Sequence, residues 1–291
     1  MKKKISVSTK GLFLSALVFA VISAIFRTLS MLLFFDSNVG YFSTGAVFPV
    51  ISNTFLGVGI IGFLALAIRA LDKKDAYEYK KTGVFRVVAC ALATLCTLIL
   101  SATSLPAAIL GDKFAALCAA LAFTGALYFP CVCFTSGNIL KLITGACLVA
   151  RFVCMMGVYY FNQDITMNAP DKIIFCLACA FAMWLIPCEI KATLGVVRPW
   201  IFAIATVGAA SLAASASIPS IVKLTTDPSF NGMGYTEYAV LLAVSVYALA
   251  MLGNYIQKPS VEQVEVETDV EETKESIEVE APTSDAEDCN N

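Results

Sequence analysis

Between Gly11 and Gln257 the chain alternates long apolar runs with short polar or Gly/Pro-containing breaks. Eight of these runs hold roughly 20 or more mostly apolar residues, the number that crosses a ~30 Å hydrocarbon core at ~1.5 Å per helical residue. They fall at 11–35, 46–71, 84–110, 114–134, 138–161, 173–194, 199–222 and 236–257. The breaks between them are Asp36–Gly40, the charged stretch Asp72–Lys81, Gly111–Lys113, Thr135–Asn138, Asn162–Asp171, the Arg198–Pro199 step and Asp227–Gly232. A lipid-exposed segment must satisfy its backbone internally, so runs of this length predict helices. The expected fold class is all-α, a polytopic transmembrane helix bundle of about eight spans.

Composition removes the main competitor. The chain is 58% hydrophobic and 14% charged, whereas a soluble domain carries roughly 25% charged residues. Charge also divides the chain in two. Residues 1–257 hold eighteen Lys and Arg against ten Asp and Glu, and residues 258–291 hold two Lys against twelve acids. The organisation expected is an eight-span transmembrane domain over 1–257 and a disordered acidic cytoplasmic tail over 258–291. The tail alternates Val or Ile with Glu, then turns rich in Pro, Thr, Ser and Asp, and cannot bury enough apolar surface to offset chain entropy. Met1-Lys-Lys-Lys resembles the charged start of a signal peptide. The apolar run behind it continues past Phe34 without a small-residue cleavage site, which predicts a retained first span.

Basic residues near span ends set the expected orientation. Fourteen, among them Lys2, Lys10, Lys73, Lys80, Arg86, Lys141 and Lys191, fall on the side of the N-terminus, against Lys113, Lys172 and Lys223 on the other. The positive-inside rule then places both termini in the cytoplasm of a multi-pass cell-membrane protein, with the lipid bilayer as its first partner.

The halves of the chain share local features. Arg27 precedes Phe34-Phe35 in the first span, and Arg151 stands at a similar distance before Tyr159-Tyr160 in the fifth. The third and seventh spans end in hydroxyl-rich stretches closed by proline, at Ser101–Pro106 and Ser215–Pro219. These features suggest a parallel four-plus-four internal repeat about an axis along the membrane normal.

Arg27 and Arg151 are the sharpest chemical candidates. A charge toward the middle of a helix costs at least ~2.5 kcal/mol on insertion scales and faces a partner or cavity, unless its long side chain snorkels to the headgroups. Ser52 and Asn53 join them as ligand-binding candidates, in a second span that also carries Pro49, Gly57, Gly59 and Gly62. No acid is expected deep in the outer half. Glu189 is expected at the inner interface, paired with Lys191 or Arg198.

Other chemistry is scarce. The chain has no His, which excludes His-Glu-x-x-His zinc sites and Ser-His pairs. No Gly-x-Gly-Asp pair, phosphate-binding loop or dinucleotide fingerprint is present. Cys131-Val-Cys133 splays its thiols on a helix, and Cys176-Leu-Ala-Cys179 has no second matched pair, so no metal site, cofactor or catalytic residue is expected. Three readings of function remain. The first is a permease-like protein, or one that handles a lipid or small anion, with Arg27 and Arg151 at the outer mouth of a cavity. The second is a non-transporting accessory or sensor subunit that binds other membrane proteins. An intramembrane enzyme comes last, and nucleic acid is not an expected partner.

Overall fold

The computed structural model describes residues 9–71, 77–79, 83–134, 137–166 and 168–257. The acidic tail from 258 onward lies outside them. Among the described residues nine helices run in order: α1 (Thr9–Phe34), α2 (Val47–Ala70), α3 (Val84–Ile109), α4 (Lys113–Ala126), α5 (Tyr128–Phe134), α6 (Asn138–Phe161), α7 (Pro170–Thr193), α8 (Pro199–Thr226) and α9 (Tyr235–Gly253). With α4 and α5 forming one span, eight segments are long and apolar enough to cross a bilayer. The chain is a multi-pass integral membrane protein. Consecutive spans reverse direction, so the near end of the bundle, where α1 begins, also holds the starts of α3, α6 and α8. The starts of α2, α4, α7 and α9 gather at the far end.

Local chemistry fixes the reversals. After α3, Gly111 adopts φ 100° and the amides of Gly111 and Asp112 return to the carbonyls of Ala108 and Ala107. This is a Schellman ending, which needs a left-handed residue at that position. Asp112 then caps α4, its Oδ1 accepting from the amides of Phe114 (2.9 Å) and Ala115 (3.1 Å). Gly195, at φ 70°, ends α7 in the same way. Pro170 and Pro199 start α7 and α8, where a missing N–H costs nothing.

Two small antiparallel pairings close the ends. At the far end β1 (Phe35–Asp36) pairs with β2 (Tyr41–Phe42). At the near end β3 (Tyr77–Tyr79) pairs with β4 (Tyr255–Gln257), Tyr77 opposite Gln257 and Tyr79 opposite Tyr255. The expected eighth span therefore ends four residues early, because Tyr255–Gln257 bond to a distant strand instead of extending α9. The expected fourth span is one crossing but not one helix. It breaks at Leu127, whose amide reaches back only three residues to Thr124, just ahead of Pro130 with its missing N–H.

The centre of the bundle is α8. Enclosure reaches 89% of its most apolar stretch, against 17% for α2. Its Ala, Gly and Ser positions let α1, α2, α7 and α9 approach closely, and Ser245 of α9 donates to the Ala210 carbonyl at 2.7 Å. At Gly125, a side chain would meet the Leu148 backbone of α6 at 2.9 Å, so α4 and α6 are nearly in backbone contact there. Helix neighbours follow a four-plus-four arrangement only in part: α3 with α4 corresponds to α8 with α9, and α1 with α2 to α6 with α7. α1 packs extensively on α8, and α7 on α8, but the equivalent pairs, α3 with α6 and α2 with α3, share no comparable contact.

Candidate functional site

Two polar clusters are built into the apolar interior, and α7 contributes a carboxylate to each. The Pro170 start places Asp171 in the first turn, where the positive end of the helix dipole favours a carboxylate. Asp171 is buried, and its Oδ2 accepts from the hydroxyls of Tyr159 (2.6 Å) and Tyr238 (3.3 Å). Its Oδ1 accepts from Ser220 of α8 at 3.0 Å. The adjacent Lys172 is buried too, and its Nζ donates to the carbonyls of Asn162 (2.9 Å) and Ile165 (3.2 Å). A cavity of about 60 Å³ at the far end reaches this cluster, lined by Ser37, Asp164, Thr166, Tyr159 and Asp171 among others.

Beside it stands Arg27 of α1, 1% exposed. Its Nη1 donates to Asn53 Oδ1 of α2 at 2.6 Å, and its guanidinium carbon lies 5.5 Å from the centre of the Phe42 ring. Asp171 and Tyr159 are within electrostatic reach, yet neither is hydrogen-bonded to it among the described residues. Its Nε and Nη2 have no hydrogen-bond partner among those residues. Ser23, one helical turn before Arg27 on the same face of α1, buries a hydroxyl in the same condition, as does Ser215 of α8. Buried polar groups are nearly always paired, and Arg27, with two such nitrogens, departs furthest from that rule among the described residues.

The near-end cluster pairs its two charges directly. Glu189 of α7 receives Arg86 of α3 at 3.2 Å, Tyr128 at 2.7 Å and Tyr247 of α9 at 2.7 and 2.6 Å to its two oxygens. Arg86 also faces the Val132 carbonyl of α5 at 3.5 Å. The break at Leu127 lets the short α5 turn Tyr128 toward Glu189. Next to the cluster, the Cys90 and Cys133 sulfurs are 2.9 Å apart.

The residues expected from sequence are distributed as follows. Arg27 and Asn53 are joined directly, and Ser52 is buried next to Asn53 in α2. Arg151 is also buried, 5% exposed, but it belongs to α6, which packs on α4 and α7 and not on α1. Its surroundings include the thiols of Cys118 and Cys179, and its Nε has no hydrogen-bond partner among the described residues. The structure does not bring it to Arg27. Neither arginine snorkels, since both guanidinium groups lie inside the protein. Glu189 pairs with Arg86, not with Lys191 or Arg198, because it faces the bundle and not the interface. Asp171, expected in a loop, is in fact the deep acid of the far half. Pro170 was the available signal, since proline favours the first helical position and so moves the helix start ahead of Asp171. Among the described residues no group of three or more metal-ligating side chains occurs. Comparison with known protein families, curated proteins and solved structures gives no match.

Proposed function

We propose that the protein is a permease-like carrier that takes up an anionic group at Arg27, with Asn53 and Ser52 completing the site. Both termini would face the cytoplasm, as the basic residues of the near end require, and the segment from 258 onward would be a disordered acidic tail. The observation that carries this reading is the buried Arg27 guanidinium, with two nitrogens open among the described residues and no acid bonded to it. A buried cation left in that state is costly, and an anion is the ligand that removes the cost. A planar guanidinium also offers the fork that carboxylates and phosphates fill. The small far-end cavity beside Asp171 and Tyr159 supports the reading by giving the cluster an opening on one side. Arg151 sits among other neighbours and takes no part in it.

The test is thermal unfolding of the purified protein with increasing phosphate, acetate or laurate, paired with uptake of a labelled anion into proteoliposomes. A binding anion raises the midpoint in proportion to the logarithm of its concentration. Arg27→Gln should abolish that rise, and Arg27→Lys should restore part of it. A protein whose midpoint is indifferent to every anion, in wild type and variant alike, lacks the site. The non-transporting accessory reading then gains, and it has its own support in α2, whose Val47, Val50, Val58 and Ile61 form a broad uncovered apolar face.

A further inference from the structure

α2 and α7 both lean on α8 with little contact between them, and a groove of about 450 Å³ runs along the gap. That volume lies within the range of ~300–1,000 Å³ usual for ligand sites. Gly57 and Ile60 of α2 form one wall, Ile174, Leu177 and Phe181 of α7 the other, and Leu212 of α8 the floor. On α7 the groove extends from Pro170 to Phe181, about 16 Å of helix, or half of a ~30 Å hydrocarbon core. Ile173 and Leu177 on its rim are exposed, so it opens outward from the bundle. Its lining has one polar side chain, Asn53, at the far-end mouth. Because the Asn53 carbonyl accepts from Arg27, its amide group keeps its donor capacity at this mouth.

We infer that this groove seats one acyl chain of an anionic phospholipid from the far-end leaflet, with the headgroup drawn to Asn53 and Arg27. The inference rests on the anion-binding reading above and names its ligand. The walls are those of a chain-binding slot, and its length matches one leaflet. The charge at its mouth is a buried cation to which no acid is bonded among the described residues. Gly57 keeps the slot open: a Cβ built there meets nothing within 4 Å, whereas one on Gly59, two residues on, would strike the Phe19 ring of α1. Gly59 serves the α1 contact and Gly57 serves the groove.

The experiment uses the full chain in phosphatidylcholine nanodiscs doped with phosphatidylglycerol bearing a diazirine in one acyl chain. After illumination, mass spectrometry should locate adducts on Leu56–Ile60 and Ile173–Phe181. Unlabelled phosphatidylglycerol should compete and added phosphatidylcholine should not. Gly57→Phe, which fills the slot without meeting a neighbour at Cβ, should lower the adduct yield about tenfold, and Arg27→Gln should remove the headgroup preference. Even labelling of the exposed faces of α1, α2 and α3, unchanged by Gly57→Phe, would show ordinary boundary lipid and overturn the groove. Should the groove label be absent while a soluble anion still stabilises the protein through Arg27, the lipid assignment fails and the anion site stands. Groove label that ignores both headgroup and Arg27 overturns the anionic assignment together with the reading of Arg27.

Discussion

Asp171 and Glu189 stand on one face of α7, five whole turns and about 27 Å apart. Each accepts a hydrogen bond from a tyrosine of α9, Tyr238 at the far end and Tyr247 at the near end. Between them the same face carries Phe175, Ala178, Ala182 and Leu185, all buried. The helix is therefore pinned at both ends by polar contacts and packed dry in the middle, so the two clusters act as separate units. The near one holds its acid against a basic partner, Arg86, whereas no base is bonded to the far one's Asp171 among the described residues.

That buried ion pair makes the near cluster a stability element. Removing either Arg86 or Glu189 alone, as Arg86→Met or Glu189→Leu, should cost about 3–5 kcal/mol, because it strands a buried charge. The double variant should cost clearly less than the two singles together. Denaturant unfolding in detergent micelles reads all three. Strict additivity would mean that the two charges are not coupled.

Helix approach at Gly125 gives a second prediction. The Cβ of Gly125→Ala would sit 2.9 Å from the Leu148 Cα, a backbone atom that cannot swing aside. The expected loss is about 1–3 kcal/mol. Gly62→Ala, where a Cβ meets nothing within 4 Å, should be tolerated. Equal unfolding midpoints for the two variants would contradict the close α4–α6 contact.

At the far-end surface Asp227 accepts from the hydroxyls of Ser229 and Ser37 and pairs with Lys223, and these contacts hold its carboxyl well below the usual carboxylate range. A group depressed in the folded state gives stability that is fully present above its unfolded value of about 3.9 and is lost as pH falls through the folded value. Asp227→Asn should thus be less stable than wild type at neutral pH. The gap should narrow as the pH drops below about 4. Unfolding midpoints measured across that range decide it, and a constant gap would remove the carboxylate from the account.

Topology is open to direct measurement. Reporter domains fused after Gly40 and after Gln257 should lie on opposite sides of the membrane, since one marks the far end and the other the near end. The Gln257 fusion should report the cytoplasm if the basic near end faces inward. Both reporters on one side would require an even number of crossings between them, against the seven seen here.

The eight crossings were legible because apolar length alone specifies them. Helix rotation was not, since lipid and protein interior are both apolar and a span marks its inward face only weakly. Arg27 announced itself as a lone charge in an apolar run, but its bond to Asn53 depends on how α1 and α2 face each other. Glu189 was visible as an acid, while its partner Arg86 lies 103 residues away on α3, beyond any local pattern. Pro130 reads equally as a helix end or a break, and Tyr255–Gln257 is apolar enough to prolong α9 until its pairing with Tyr77–Tyr79 is known.

The central position of α8 has a consequence for how the chain is made. α1 and α2 rest on α8 and on each other, yet α8 is the seventh span to leave the ribosome. At ~5–20 residues per second the first hairpin waits roughly ten to thirty-five seconds between completing Asn53 and receiving the wall it packs against. Through that interval Arg27 is already in the membrane, and Asn53 is the hydrogen-bond partner it keeps in the finished fold. The Arg27–Asn53 bond thus shelters a charge during biogenesis before it shapes any site, and α8 arrives much later to close the bundle over both.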